Sequence, residues 1–151
     1  MSLPWASYDK ANWNDAQSIR SIDPIVPINP SRAEMIDTWL QRDFVLVAEM
    51  DNRIVGYGVF NHEFFRQSQI DMLMISKEYR GKRIGEMLLL SLEKYADTAK
   101  MFITTNLSKH PMQKLLLRNG YKPCGYIDEL DPGDPELVFV KQMIIDRIKN
   151  K

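Results

Sequence analysis

A short basic segment between a predicted strand and a predicted helix combines the residue types of an anion-binding site. It comprises Arg80, Gly81, Lys82, Arg83, Ile84 and Gly85. A turn that leads directly into a helix points several backbone N–H groups at one spot, and the helix adds roughly half a positive charge there. Two interpretations are open. The segment is either a preformed site for a pyrophosphate, or a surface turn whose glycines cap the helix and whose cations are solvated.

The flanking segments have the periodicity needed to position this turn. Residues 69–75 alternate between two apolar faces, which predicts a central strand. From Ile84 to Tyr95 the apolar residues recur at helical spacing, which predicts a helix that extends to about Ala96. The chemistry-bearing turn is therefore expected between a buried strand and an amphipathic helix.

The remaining elements follow from apolar patterning and turn residues. We predict a helix over 30–42, a hairpin over 44–60, a strand over 101–105, a short helix over 111–119, and strands over 121–127 and 136–142. Gly56 and Gly58 leave bare backbone that another chain or a ligand could approach. The sequence pattern of residues 1–29 predicts no clear secondary-structure element. The absence of repeats or linkers predicts one α/β (α+β) domain over 1–151, with a mixed central sheet flanked by helices.

Composition narrows the class of protein. The 20 basic and 20 acidic side chains give a formal charge of zero, so nothing favours nucleic-acid binding. No apolar run approaches the roughly 20 residues that span a bilayer, which predicts no membrane association. Cys124 is the single cysteine and residues 1–5 do not resemble a secretory leader, so we expect a cytoplasmic protein.

The segment from Ile75 to Gly85, ISKEYRGKRIG, resembles the acetyl-coenzyme A signature of the GNAT superfamily of N-acetyltransferases. The core of that signature is Gln/Arg-x-x-Gly-x-Gly/Ala between a strand and a helix. The order of elements is also similar over residues 30–143, including an Asn-Gly-Tyr sequence that ends at Tyr121. The resemblance implies a GNAT-like fold, with a strand splay at the cofactor site and acetyl-coenzyme A as cosubstrate.

The resemblance also assigns roles to residues. The backbone of Leu73, Met74 and Ile75 would pair with the pantetheine arm, as an added strand does. The main-chain amides of Arg80, Gly81, Lys82, Arg83, Ile84 and Gly85 would hold the pyrophosphate. Asn106, after the next strand, would bond a pantetheine amide.

Two positions depart from the family pattern. Arg83 replaces a glycine, so its side chain either points away from the pyrophosphate or reaches a phosphate itself. Cofactor binding survives this replacement if residue 83 takes ordinary helical dihedrals, which arginine adopts without strain. Leu116 replaces the tyrosine that protonates the leaving thiolate in many members, and Tyr121 or Tyr126 is a candidate substitute.

Direct transfer to an amine also needs a proton acceptor, because an amine with a pKa near 10 is protonated at pH 7. Asp71 is the first candidate base, since it shares a strand face with Leu73. Glu63, with His62, is the second, in a predicted loop after the hairpin. For all three residues the alternative is a solvated surface charge. The sequence has no metal-ligand spacing, so no metal is expected.

Three functions remain open. The first is an N-acetyltransferase that acts on a primary amine of a small molecule or peptide. The second is a catalytically degenerate acyl-coenzyme A sensor or assembly module of the same fold. The third is a structural domain that binds a small anion. The acidic residues 128–136 could steer a cationic amine, and exposed Trp and Met residues could form a homodimer face.

Overall fold

The computed structural model describes residues 6–144. Residues 1–5, which carry the expectation about a leader, lie outside that part of the chain. The strands are β1 (Ser7–Lys10), β2 (Phe44–Met50), β3 (Arg53–Phe64), β4 (Gln67–Ile75), β5 (Lys100–Asn106), β6 (Lys122–Ile127) and β7 (Glu136–Gln142). The helices are α1 (Ala16–Ile22), α2 (Ser31–Arg42), α3 (Ile84–Glu93) and α4 (His110–Arg118).

The strands form one mixed sheet in the order β1-β2-β3-β4-β5-β7-β6, with β4 in the centre. This arrangement confirms the predicted α/β fold class and the central position of residues 69–75. Within residues 6–144, no helix is both long enough and apolar enough to cross a bilayer.

The described chain forms two compact units. The first contains residues 6–61 and 72–95, and the second contains residues 62–71 and 96–144. The division falls inside β3 and inside β4, so each of these strands contributes to both units.

The first unit has two apolar clusters. One contains Ile36 and Trp39 of α2 with Tyr57 and Val59 of β3, and Met72 and Met74 pack against it. The other contains Ala48, Val55, Tyr79 and Ile84, with Ile75 packed against it. The alternation predicted for residues 72–75 is thus observed as packing into different clusters.

Gly56 and Gly58 of β3 leave space that neighbouring side chains of the first unit fill. A Cβ on Gly56 would lie 2.6 Å from Cδ1 of Ile75, and a Cβ on Gly58 would lie 2.5 Å from Cδ1 of Leu92. Both distances are shorter than real Cβ contacts. The bare backbone therefore accommodates side chains of β4 and α3, and the expectation that a ligand or another chain approaches there is wrong.

In the second unit, β5 and β6 pair antiparallel with β7. Met101 and Ile103 of β5, Leu116 of α4 and Phe139 of β7 are buried. The parallel ladder of β4 and β5 joins Ser68–Ile70 to Met101–Ile103, and it ends before β4 itself ends at Ile75.

Most predicted elements are confirmed with shifts of a few residues at their ends. β1 and α1 are additional elements inside the segment that gave no prediction. The prediction that His62 and Glu63 lie in a loop is wrong, because β3 continues to Phe64.

Candidate active site

A short 3₁₀ turn, Lys77–Tyr79, lies between the end of β4 and the basic segment. The amide of Ser76 donates to the carbonyl oxygen of Val55 at 2.7 Å, so the chain leaving β4 is still held to β3. Gly81 then takes φ +76°, the left-handed conformation in which glycine is unstrained. Apart from its two chain neighbours, no atom of residues 6–144 lies within 4 Å of where a Cβ of Gly81 would be.

Arg83 precedes α3 and adopts φ +66° and ψ +11°. The condition under which cofactor binding was expected to survive this replacement, ordinary helical dihedrals at residue 83, is therefore not met. The chain turns sharply between Gly81 and the first helical residue, Ile84, and a left-handed residue makes that turn. Arg83 thus has a backbone conformation suited to glycine, which is the residue that the GNAT signature places there.

The start of α3 supplies main-chain donors. The first helical hydrogen bond runs from the amide of Met87 to the carbonyl oxygen of Arg83, so the amides of Ile84 and Gly85 have no acceptor inside the helix. Arg80, Lys82 and Arg83 are exposed beside them. Helix-start amides surrounded by exposed cations are a donor set that fits a diphosphate.

Two of the cations have intramolecular partners. Arg80 donates from Nε to the carbonyl oxygen of Ile75 at 3.0 Å, which connects the turn to the end of β4. Nε of Arg83 lies 3.3 Å from Oε1 of Glu86, a buried carboxylate in the first turn of α3. This ion pair offsets a negative charge that would otherwise repel a phosphate.

Leu73, Met74 and Ile75 on β4 are partly buried. Cγ1 of Ile75 lies 3.5 Å from where a Cβ of Gly85 would be, which brings the end of β4 next to the first turn of α3. The side chains of Met74 and Ile75 pack against the two apolar clusters of the first unit.

Asn106 lies in the second unit, at the end of β5, and contacts the acidic loop over 128–136. Its carboxamide nitrogen donates to Oδ2 of Asp131 at 2.9 Å and to the carbonyl oxygen of Asp134 at 3.1 Å. Ser108 strengthens the attachment through its hydroxyl, which lies 2.6 Å from Oδ2 of Asp134. Both amide protons of Asn106 are engaged, so Oδ1 is the atom that a ligand N–H could use.

The candidate bases also lie in the second unit. Asp71 is exposed on β4, and Glu63 is exposed near the end of β3. Nε2 of His62 lies 2.6 Å from Oδ1 of Asp97. The structure therefore places the predicted cofactor residues 73–85 in the first unit, and Asn106, Asp71 and Glu63 in the second.

The position of the missing acid is occupied by Leu116, whose side chain has no hydroxyl and is fully buried. Of the candidate substitutes, Tyr121 is buried beneath Lys141, whose Nζ lies 5.5 Å from the ring centroid. Tyr126 is 66% exposed on β6.

Sequence reasoning missed a buried polar group in the first unit. Tyr57 donates from its hydroxyl to Oδ2 of Asp23 at 2.7 Å, and Nη1 of Arg32 donates to the same oxygen at 2.9 Å. Burial raises the pKa of Tyr57, and the hydrogen bond to Asp23 raises it further. Arg32 is 9 positions and Tyr57 is 34 positions from Asp23 in the sequence, so no local sequence pattern links the three residues.

Comparison with known proteins places this geometry in a family. The model of the acetyltransferase (GNAT) family matches residues 13–121, which is more than half of the 151-residue chain. A solved GNAT acetyltransferase from Bacillus cereus ATCC 10987 is 29% identical, with a TM-score of 0.85 over 93% of this chain and 99% of that one. The chain therefore belongs to the GNAT acetyltransferase family, as its sequence predicted, and so to the acyltransferase class of enzymes.

Two further relatives differ in what they share with the chain. A Bacillus subtilis (strain 168) protein, provisionally named ribosomal protein bS18-alanine N-acetyltransferase, is 34% identical over 84 residues. That alignment spans 53% of this chain and about half, 54%, of the relative. A Bacillus anthracis str. Ames structure, provisionally named streptothricin acetyltransferase and solved with acetyl coenzyme A, shares the fold. It has 11% identity and a TM-score of 0.73 over 95% of this chain and all of that one.

Proposed function

We propose that this protein is an acetyl-coenzyme A-dependent N-acetyltransferase that transfers the acetyl group directly to a primary amine. The observation that carries the proposal is the turn at 80–85. Two left-handed residues, Gly81 and Arg83, lead into a helix start whose amides of Ile84 and Gly85 lack helical acceptors. In a protein of the GNAT family, this is the arrangement that a diphosphate requires.

The proposed cofactor contacts follow the chain. The amides of residues 80–85 hold the diphosphate, and the backbone of Leu73, Met74 and Ile75 pairs with the pantetheine arm. The β4–β5 ladder supports this, since it ends at Ile70 and leaves the last residues of β4 beyond it. Oδ1 of Asn106 accepts from a pantetheine N–H. The bound thioester supplies the activated acetyl group.

Proton transfer falls to side chains of the second unit. We propose Asp71 as the base, acting through water because it is exposed, with Glu63 as the second candidate. We assign no side chain to the role of the general acid that protonates the leaving thiolate. A thiol with a pKa near 8.5, by comparison with cysteine, leaves without a dedicated proton donor.

The acceptor proposed first is the N-terminal amine of a peptide. This choice rests on the name of the Bacillus subtilis relative. A small-molecule amine is the second choice. The acidic loop over 128–136 supports a cationic acceptor of either kind. We further propose a cytoplasmic location, in keeping with the single, exposed Cys124, and a homodimer as a possible assembly.

Thiol release tests the proposal. The wild-type protein is titrated calorimetrically with acetyl-coenzyme A, and coenzyme A release is then followed with an N-terminal alanine peptide and with spermidine. We expect saturable binding and amine-dependent release. Asp71→Asn should lower the release rate by about 10²-fold or more and leave acetyl-coenzyme A affinity unchanged.

The alternative functions give different results in the same assays. The sensor or assembly module binds acetyl-coenzyme A, yet releases thiol no faster with any amine than without one. The third hypothesis, a structural domain that binds a small anion, predicts no binding of acetyl-coenzyme A. The departures at Arg83 and Leu116 favour the sensor, which is why turnover decides between the first two.

A further inference from the structure

We propose that Tyr79 is a positioning residue for the turn at 80–85, holding it to the tip of the β2–β3 hairpin through its hydroxyl group. Its role in ligand binding rests on the proposed function, because the turn is the proposed diphosphate site. Its role in holding the turn can be measured without a ligand.

The hydroxyl of Tyr79 connects two segments of the first unit. It accepts from Nη2 of Arg53 at 2.8 Å and from Nε of Arg53 at 3.1 Å. It donates to Oδ2 of Asp51 at 3.2 Å. The guanidinium carbon of Arg53 also lies 5.2 Å from the centroid of the Tyr79 ring. One phenol therefore uses its proton, its oxygen and its ring face on the same hairpin tip.

The hairpin tip is a well-defined platform. Asp51 and Asn52 have φ +55° and +61°, the left-handed pair of a tight two-residue turn, and both are residue types that tolerate this conformation. Met50 pairs with Arg53 directly across the turn. The groups that hold the Tyr79 hydroxyl are thus fixed by hairpin geometry.

The turn needs such a support because it departs from regular structure. Tyr79 ends the 3₁₀ turn, and the left-handed residues Gly81 and Arg83 follow within four positions. A left-handed arginine persists only where the surroundings determine the backbone. Ser76 fixes one end of the segment through Val55, and the buried Ile84 fixes the other. Between them, Tyr79, which is 8% exposed, attaches the segment to the hairpin tip, while Arg80 attaches it to the end of β4.

Tyr79→Phe separates this role from packing. The variant keeps the ring against Val55 and Ile84 in the second apolar cluster and removes only the hydroxyl. A turn freed from the hairpin samples more conformations, and a diphosphate must then order it at the expense of affinity. We expect the dissociation constant for acetyl-coenzyme A to rise roughly five- to tenfold.

The experiment compares three variants without ligand and with acetyl-coenzyme A. Arg53→Met removes the other side of the contact at an exposed position, so it carries the test if Tyr79→Phe does not fold. Tyr95→Phe is the matched control. Tyr95 is 45% exposed and packs its ring 4.2 Å from that of Phe44, away from the hairpin tip. Amide hydrogen exchange over 77–87 and calorimetric titration are the two measurements.

We expect Tyr79→Phe and Arg53→Met to accelerate exchange over 77–87 but not in β2, and to weaken binding, while Tyr95→Phe does neither. Unchanged exchange over 77–87 overturns the inference even if the wild type binds acetyl-coenzyme A. Faster exchange throughout the protein also overturns it, because that result indicates general destabilisation. Faster exchange only over 77–87, with an unchanged affinity for acetyl-coenzyme A, overturns the role of Tyr79 in ligand binding. If the variants show faster exchange only over 77–87 and the wild type does not bind acetyl-coenzyme A, the attachment of the turn by Tyr79 is supported and the proposed function is rejected.

Discussion

Arg83 is the residue at which the backbone and the amino-acid type disagree most clearly. A non-glycine residue in the left-handed region carries roughly 1–2 kcal/mol of strain. Arg83→Gly removes the strain and also the ion pair with Glu86, whereas Arg83→Ala removes the ion pair alone. We predict that the glycine variant is more stable than the alanine variant by about 1 kcal/mol. Urea denaturation of both variants measures this difference, and equal free energies of unfolding would show that the left-handed arginine is unstrained.

Residue-level prediction from sequence is strongest where the signal is local. The glycines and cations of residues 80–85 stand together in the chain, so the sequence predicts a turn before a helix, and the structure has that turn. The left-handed conformation of Arg83 could not be predicted from its residue type, because arginine itself favours helical dihedrals and only the surrounding turn imposes the left-handed one. Tyr79 was missed as an anchor because its partner Arg53 lies 26 positions away. Contacts at that separation leave no periodic trace.

Among the secondary-structure elements, prediction followed the strength of periodicity. α3 and β4 were predicted because their apolar residues repeat over several turns or pleats. α1 has only seven residues, of which Ala16 and Ile19 are buried, so no repeat develops. β3 was predicted to end at Phe60, since His62 and Glu63 are polar. They are exposed in the strand, and exposed strand positions carry no apolar signal.

The connection between α3 and β5 gives a pH-dependent prediction. Burial alone would raise the pKa of Asp97, but hydrogen bonds from His62 and Ser68 outweigh it and hold the pKa below its usual range. A carboxyl group whose pKa is lower in the folded than in the unfolded protein stabilises the fold at pH values above its unfolded pKa, which is near 4. That stabilisation is lost as the pH falls through the folded pKa. Asp97 is largely exposed, so its contribution is at most about 1 kcal/mol.

We therefore predict that Asp97→Asn lowers the free energy of unfolding at pH 7, and that the difference from wild type shrinks as the pH falls below about 4. Urea denaturation between pH 3 and 7 measures this. Asp128→Asn is the control, because Asp128 is an exposed acid of the same unit and makes no described hydrogen bond. A difference for Asp97→Asn that persists unchanged at pH 3 would contradict the prediction.

At the scale of the whole molecule, we propose that residues 1–151 form a single folding domain. The two compact units are divided inside β3, between Asn61 and His62, and inside β4, between Asp71 and Met72. A strand cannot lose half of its pairing without disturbing the rest, so opening one unit should disrupt strands of the other. Cooperative, two-state unfolding is the expected consequence.

The sequence provides a separate probe for each unit. Two of the three tryptophans, Trp13 and Trp39, lie in the first unit, and Trp39 is buried, so we use tryptophan fluorescence as the probe of that unit. Cys124 is the single cysteine, is exposed, and lies in the second unit, where it accepts a fluorescent label. We predict that urea denaturation monitored by tryptophan and by the label gives the same midpoint and slope. Separate midpoints would mean that the two units unfold independently. Far-UV circular dichroism of the unlabelled protein is the control for any effect of the label, since it follows both units at once.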